Sequence, residues 1–271
     1  MRAAAHLLLP RPALAGCLFA GLWRDTRGAA LGDAQRLSHF PASPLIGVTW
    51  VLAGEIRLLA PGGFARRHSV PPLPRVSVMG PQNHPTTSWT PGPVLALSLG
   101  VYPDAWARLT GGLPLPAADQ SPVAAPDLFA RLTDDAAWDW DNLQDALSAF
   151  WHGAEVAPHT RLGDWARGLA GRAALSGPGT SLRSMERRVR RWTGQTRGAL
   201  SLFAGVDDLH ARVSRAAPAS LAELAAEAGY ADQSHMGRAV RRVTGYSPAR
   251  LNRLIAEDEA FWPYRLLGER F

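Results

Sequence analysis

Between Ser220 and Pro248 the chain reads SLAELAAEAGYADQSHMGRAVRRVTGYSP, and the spacing of its caps and apolar positions decides what the C-terminal part of the protein is. Ser220, followed three residues later by Glu223, is a capping box in which each side chain satisfies a backbone N–H that the first helical turn leaves unpaired. Leu221, Leu224, Ala225 and Ala228 recur at helical spacing, and Gly229 supplies the left-handed residue that stops the helix. Asp232 caps a second helix whose apolar positions are Met236, Val240 and Val243, closed by Gly245. Ser247-Pro248 opens a third, with Ser as N-cap and Pro at the first helical position. Two short helices joined by a turn of about four residues that holds a Gly make a helix-turn-helix, whose second helix can lie in a DNA major groove. The outer face of that second helix carries Gln233, Ser234, His235, Arg238, Arg241 and Arg242, groups that hydrogen-bond base edges or phosphates.

Charge points the same way. Every one of the 29 basic residues is arginine. Residues 1–160 hold 11 Arg against 12 Asp and Glu, net −1, while 161–271 hold 18 Arg against 11 acids, net +7. A basic region containing a helix-turn-helix predicts a polyanionic partner, double-stranded DNA, held through phosphate contacts and counterion release. The single cysteine, Cys17, excludes an internal disulfide framework and a multi-cysteine zinc site. No stretch approaches the roughly 20 apolar residues of a membrane-spanning helix, so a cytoplasmic location and no membrane partner are expected. One feature argues otherwise: after Arg2 and an apolar run to Leu9, Leu14-Ala15-Gly16-Cys17 resembles the cleavage box of a bacterial lipoprotein signal. Pro10, Arg11 and Pro12 interrupt that run, where a signal core needs about 7–15 unbroken apolar residues.

From about Leu18 to Val101, short apolar runs alternate with turn residues, a pattern of strands. Candidate strands are Leu18–Trp23, Leu45–Leu52, Glu55–Leu59, Arg75–Met79 and Val94–Leu99. A small barrel or sandwich would close them, either around a ligand pocket or filled with side chains. Trp50, Trp89, His68 and His84 are candidate pocket residues; the simpler reading makes the tryptophans core and the histidines surface or turn residues. No H-x-H or H-E-x-x-H spacing is present, and neither a metal nor another cofactor is expected. Pro103-Asp104 opens a helix to Thr110, and Leu113 to Pro126 reads as a connector. Asp127 caps a helical segment through Trp138, Trp140, Leu143, Leu147 and Trp151, interrupted near Asp134-Asp135. That segment is a linker helix, a dimerisation face, or packing for the module's own sheet, the last being favoured. The expected fold is α+β: a β-rich sensing or oligomerisation module over 1–126, a linker region over 127–160, and an all-α DNA-binding domain over 161–271.

The first pattern has an echo. A helix from Arg161 through Trp165 and Leu169 to Leu175 is broken by Ser176-Gly177-Pro178-Gly179-Thr180. Ser181 then caps a helix with Leu182, Met185, Val189 and Trp192 as its buried stripe, ended by Thr193-Gly194. ERRVRRWTG from Glu186 to Gly194 matches GRAVRRVTG from Gly237 to Gly245, 51 positions later. The chain therefore contains two helix-turn-helix units, joined by a helix near Arg197–Arg215 that holds their separation fixed.

GYADQSHMGRAVRRVTGYSP, from Gly229 to Pro248, resembles the C-terminal signature of the AraC/XylS family of bacterial transcription regulators, and the likeness extends over roughly 165–256. The resemblance implies a homeodomain-like domain of about seven helices whose two recognition helices enter successive major-groove segments on one DNA face. It also implies an N-terminal module that senses a small-molecule effector or forms a homodimer, with RNA polymerase as a further partner. Met79-Gly80-Pro81-Gln82 and the Tyr102-Pro103 helix start carry a weaker likeness to the N-terminal module of one subgroup. Val189 and Val240 stand where the family usually has Phe, burying less by about 1 kcal/mol each. Thr196 stands where Pro often follows the Gly, and Gly177-Pro178-Gly179 lengthens the first unit's turn.

By the resemblance, Arg183, Glu186 and Arg187 in the first unit, and Gln233, Ser234, His235 and Arg238 in the second, read bases. Arg suits guanine and Gln adenine, each good pair being worth about 1–3 kcal/mol of discrimination. Glu186 either accepts from cytosine N4 or orients Arg183 or Arg190; Arg238 either reads a base or packs along the helix toward a phosphate. Arg190, Arg191, Arg241 and Arg242 are phosphate clamps that carry affinity and little sequence information. Arg250 and Arg253 are solvated surface. Groove segments about 34 Å apart predict a site of two half-elements roughly 10 base pairs apart. A rival reading is a DNA-linked enzyme or repair protein using Cys17, but the apolar setting of that thiol raises its pKa, and no G-x-S-x-G, Walker loop or dinucleotide fingerprint appears. The chain is therefore not expected to be an enzyme. A third reading is an interaction protein with an inactive DNA-binding fold.

Overall fold

The computed structural model describes residues 3–131, 139–151, 161–177, 181–215 and 220–270. The N-terminal part contributes β1 (Ala4–Leu8), β2 (Leu18–Asp25), β3 (Leu37–Phe40), β4 (Ile46–Ala53), β5 (Arg57–Leu59), β6 (Val76–Met79), β7 (Thr86–Trp89), β8 (Leu95–Val101) and β9 (Val123–Ala124). All five expected strands are present. Their pairings are antiparallel and form a six-stranded sheet in the order β1-β2-β8-β4-β6-β9 and a three-stranded sheet in the order β3-β7-β5. The barrel alternative is corrected here: these are two open sheets, with β1 and β9 as unjoined edges of the larger one among the described residues.

Period-two alternation gives the larger sheet two unlike faces. Ile46, Val48 and Trp50 of β4 pair with Val101, Leu99 and Leu97 of β8, and these large side chains are all buried. The helices α1 (Pro103–Leu109), α2 (Asp127–Arg131) and α3 (Trp140–Phe150) belong to the core on this side. Trp50 Nε1 donates to the Phe129 carbonyl at 3.0 Å, and Trp106 stacks on Phe129 with ring centroids 5.6 Å apart. Helix α3 packs on its own module: Trp140 Nε1 donates to the Leu9 carbonyl at 3.0 Å, and Arg11 forms ion pairs with Asp141 and Asp145. Trp138, Asp134 and Asp135 lie outside the described residues.

The stretch weighed as a lipoprotein signal is the edge strand β1 and the turn after it. Cys17 is fully buried, its thiol 3.2 Å from the Leu14 carbonyl, and burial pushes its pKa up to about 12. A thiol so placed is not a nucleophile at neutral pH.

The helical part comprises α4 (Leu162–Leu175), α5 (Leu182–Thr193), α6 (Arg197–Arg215), α7 (Leu221–Glu227), α8 (Gln233–Thr244), α9 (Pro248–Glu257) and α10 (Trp262–Gly268). The internal repeat is a repeat of geometry. Helices α5 and α8 are each 12 residues long, and their N-caps accept from the backbone three residues on: Ser181 Oγ from Ser184 N–H at 3.3 Å, Asp232 Oδ1 from His235 N–H at 2.6 Å. Each ends on a left-handed glycine, Gly194 at φ 71° and Gly245 at φ 82°. The preceding Thr hydroxyls do matching work: Thr193 donates to the Val189 carbonyl and accepts from Gln195 N–H, and Thr244 donates to the Val240 carbonyl and accepts from Tyr246 N–H.

One expectation fails within α5. Leu182 is 69% exposed and not part of the buried stripe. The seam begins a turn later and includes Arg188, whose guanidinium donates to the Ala173 and Gly177 carbonyls at the C-terminal end of α4. Those carbonyls lack helical partners, which is why a cation is buried there.

The two parts share one apolar core. Leu162, Trp165, Leu169, Val189, Phe203 and Val243 belong to the same cluster as Leu14, Tyr102 and Trp106. Trp165 stacks on Tyr102 at 5.1 Å and donates to Asp104 at 2.8 Å, while Arg172 pairs with the other Asp104 oxygen. A second cluster, with Leu224, Met236, Val240, Leu251, Phe261 and Tyr264, holds α7 to α10 together.

Candidate nucleic-acid interface

Helix α8 presents two chemically opposite faces. Met236, Ala239, Val240, Val243 and Thr244 are buried, while Gln233, Ser234, His235, Arg238, Arg241 and Arg242 are exposed. The fold puts Gln233, Ser234 and His235 in the first turn, where Asp232 fixes the backbone. The His235 ring meets the Tyr230 ring edge to face, with centroids 5.4 Å apart. Helix α5 exposes Arg183, Arg187, Arg190 and Arg191 while burying Arg188, Val189 and Thr193.

Every ion pair among the described residues uses other arginines, so the exposed cations of α5 and α8 face no carboxylate partner. Arginines clustered without counter-charge repel one another, and a polyanion relieves that repulsion by displacing its own counterions. The connector α6 is 19 residues long, which at 1.5 Å per residue is about 28 Å, on the scale of the roughly 34 Å between successive major-groove segments.

Glu186 makes a backbone contact that its spacing did not foretell. Its Oε1 accepts from Arg197 N–H at 3.0 Å, capping the first turn of α6 and tying α5 to the connector. Thr196, in the position where the family often has Pro, accepts from Ala199 N–H at 3.1 Å and caps the same helix. Arg250, read as plain surface, lies over the Tyr246 ring at 5.2 Å. Trp50 and Trp89 are core, and His68 and His84 are exposed, His68 lying edge to face against Trp89 at 4.8 Å.

The anchorage of α8 on the N-terminal module is not legible in the sequence. Ala42 N–H donates to the Val243 carbonyl at 2.8 Å, in the last turn of α8. Beside it, Arg24 is 6% exposed, pairs with Glu259 at 2.7 Å and lies over the Trp262 ring, whose Nε1 donates to Ser38 Oγ at 2.9 Å. Between the two sheets, and bordered on the helical side by α6, α8 and α10, lies a mainly apolar cavity of about 260 Å³. Asp207 and His210 of α6 reach its wall; burial pushes the Asp207 carboxyl up to about 6, opposed by Arg270, and pushes His210 down to about 4. Among the described residues there is no cluster of three or more His, Cys, Asp or Glu suited to a metal, and no helix long and apolar enough to cross a membrane.

A family model described as a helix-turn-helix domain matches residues 178–253. No curated protein matches the chain. Among solved structures the chain is similar to ToxT from Vibrio cholerae, at 7% identity over 92% of this chain and 96% of that one, with a TM-score of 0.38. A structure of ToxT from Vibrio cholerae O395 gives 7% identity, 94% and 98% coverage and a TM-score of 0.40. The unsaturated fatty acid bound wild-type ToxT gives 9% identity, 92% and 96% coverage and a TM-score of 0.39.

Proposed function

We propose that the chain is a DNA-binding transcription regulator of the AraC type, whose helices α5 and α8 enter successive major-groove segments on one face of the duplex. The observation that carries this reading is the pair of equally long, identically capped helices whose exposed arginines have no carboxylate partners. Arg183 and Arg187 of the first unit, with Gln233, Ser234, His235 and Arg238 of the second, contact bases; Arg190, Arg191, Arg241 and Arg242 hold phosphates. Glu186 serves as a positioning residue through its cap on α6. The division into a sensing module over 1–126, a linker over 127–160 and a DNA-binding domain over 161–271 fits this reading, as does a cytoplasmic location. Homodimerisation and contact with RNA polymerase follow from the family resemblance alone.

The cavity supplies the route for a small-molecule effector. Val243 and Thr244 line it and belong to the last turn of α8, the turn held by Ala42, so an occupant touches the recognition helix and its anchor together.

Mobility shifts against genomic fragments separate readers from clamps. Arg183→Ala and Arg187→Ala change which fragments bind, while Arg242→Ala weakens all of them and lowers the salt slope by about 0.9. Equal loss on every fragment in all three variants would show that Arg183 and Arg187 are phosphate contacts.

A further inference from the structure

The larger sheet's second face is built unlike its first. Across neighbouring strands, Leu22, Ser98, Thr49 and Ser77 form one row, and Ala20, Gly100, Gly47 and Met79 the next. The opposing sheet adds Ser38, Thr86 and Ser88 to the same cavity. A sandwich interior ordinarily fills with large apolar side chains from both sheets. Here small and hydroxyl-bearing residues recur strand after strand and leave the space open.

The polar groups of that wall are neutral or already matched. Thr49 Oγ1 and Ser98 Oγ lie 3.1 Å apart, and Ser38 Oγ accepts from Trp262 Nε1, so these hydroxyls keep capacity for further bonds. Tyr264 borders the cavity with its ring, while its hydroxyl is buried away from the open space. Arg24, the arginine on the wall, is taken by Glu259 and Trp262. Asp207 accepts from Leu162 N–H and faces Arg270, and His210 is held neutral by its burial. An anion entering this space would shed its water and find the arginine that lines it already paired with Glu259. A cation would compete with Arg270 for Asp207.

We propose that the cavity binds a compact, uncharged, mainly apolar molecule bearing a hydroxyl or carbonyl group, oriented by the Thr49–Ser98 pair. It rests on the reading of the cavity as the effector site and specifies the chemistry of the effector. At about 260 Å³ the space lies just below the usual range of about 300–1,000 Å³ for small-molecule pockets, which limits the ligand to one or two rings or a short chain.

Three probes of one shape test this by calorimetry on the full chain at pH 7.5: 4-phenylbutanol, 4-phenylbutanoate and 4-phenylbutylammonium. The alcohol binds at least about tenfold more tightly than either ion. A Cβ on Gly47 would meet only the Met79 carbonyl at 4.0 Å, so Gly47→Leu projects into the cavity without a backbone clash and abolishes binding of the alcohol. Thr49→Val removes one of the two orienting hydroxyls and weakens the alcohol about five- to tenfold. Tighter binding of 4-phenylbutanoate, no binding of any probe, or alcohol binding that survives Gly47→Leu overturns the proposal. Alcohol binding at this cavity that leaves DNA affinity unchanged keeps the site and removes the effector reading.

Discussion

Replacing Arg190, Arg191, Arg241 and Arg242 together by alanine lowers affinity for every DNA fragment by about a thousandfold at 0.15 M salt. It also reduces the slope of log affinity against log salt by about 3.6, since each lost phosphate contact removes about 0.9. The size of the effect comes from counterion release: four condensed cations are no longer set free, and at this ionic strength each is worth about a factor of five to six. The side chains are exposed and face no carboxylate, so the fold gives up no ion pair when they go. Thermal stability should hold or rise slightly as like charges are removed. Fluorescence anisotropy titrations at several salt concentrations read both quantities, and an unchanged slope would mean that these arginines do not touch DNA.

Trp165→Ala costs about 3–5 kcal/mol of stability, the range for truncating a large buried aromatic. Trp165 is 1% exposed; it stacks on Tyr102 and donates to Asp104, joining α4 of the helical part to the Tyr102–Asp104 start of α1 in the β-rich part. Truncation leaves a cavity between the two parts and removes one of the bonds that holds Asp104. Because the apolar cluster runs through both parts, the loss should appear as one shifted transition in chemical denaturation. Trp165→Phe keeps the stack, loses the hydrogen bond and costs less. Two separate transitions, with the β-rich part unaffected by Trp165→Ala, would show that the shared core does not couple the modules.

The helical domain was legible because its signals are local. Ser181 and Asp232 cap within three residues, and Thr193-Gly194 and Thr244-Gly245 close within two, so a repeat of letters marks a repeat of geometry. The five strands with apolar alternation were legible for the same reason. Strands β3, LSHF, and β7, TTSW, were missed because their cavity-facing positions are largely hydroxyl residues and the apolar period is absent. Closure was undecidable from strand patterns, since it depends on whether β1 and β9 find each other. The anchorage of α8 was illegible because its contacts are distant in sequence: Ala42 with Val243, Arg24 with Glu259, Ser38 with Trp262. The contact of Glu186 was illegible because its partner is a backbone N–H beyond the turn, which side-chain chemistry alone does not reveal.

The central claim is that α5 and α8 dock side by side on one duplex face. Hydroxyl-radical footprinting of the chain on its tightest genomic fragment tests it most directly. The predicted result is two protected patches centred about 10 base pairs apart on the same face of the helix; a single patch, or two on opposite faces, would contradict it.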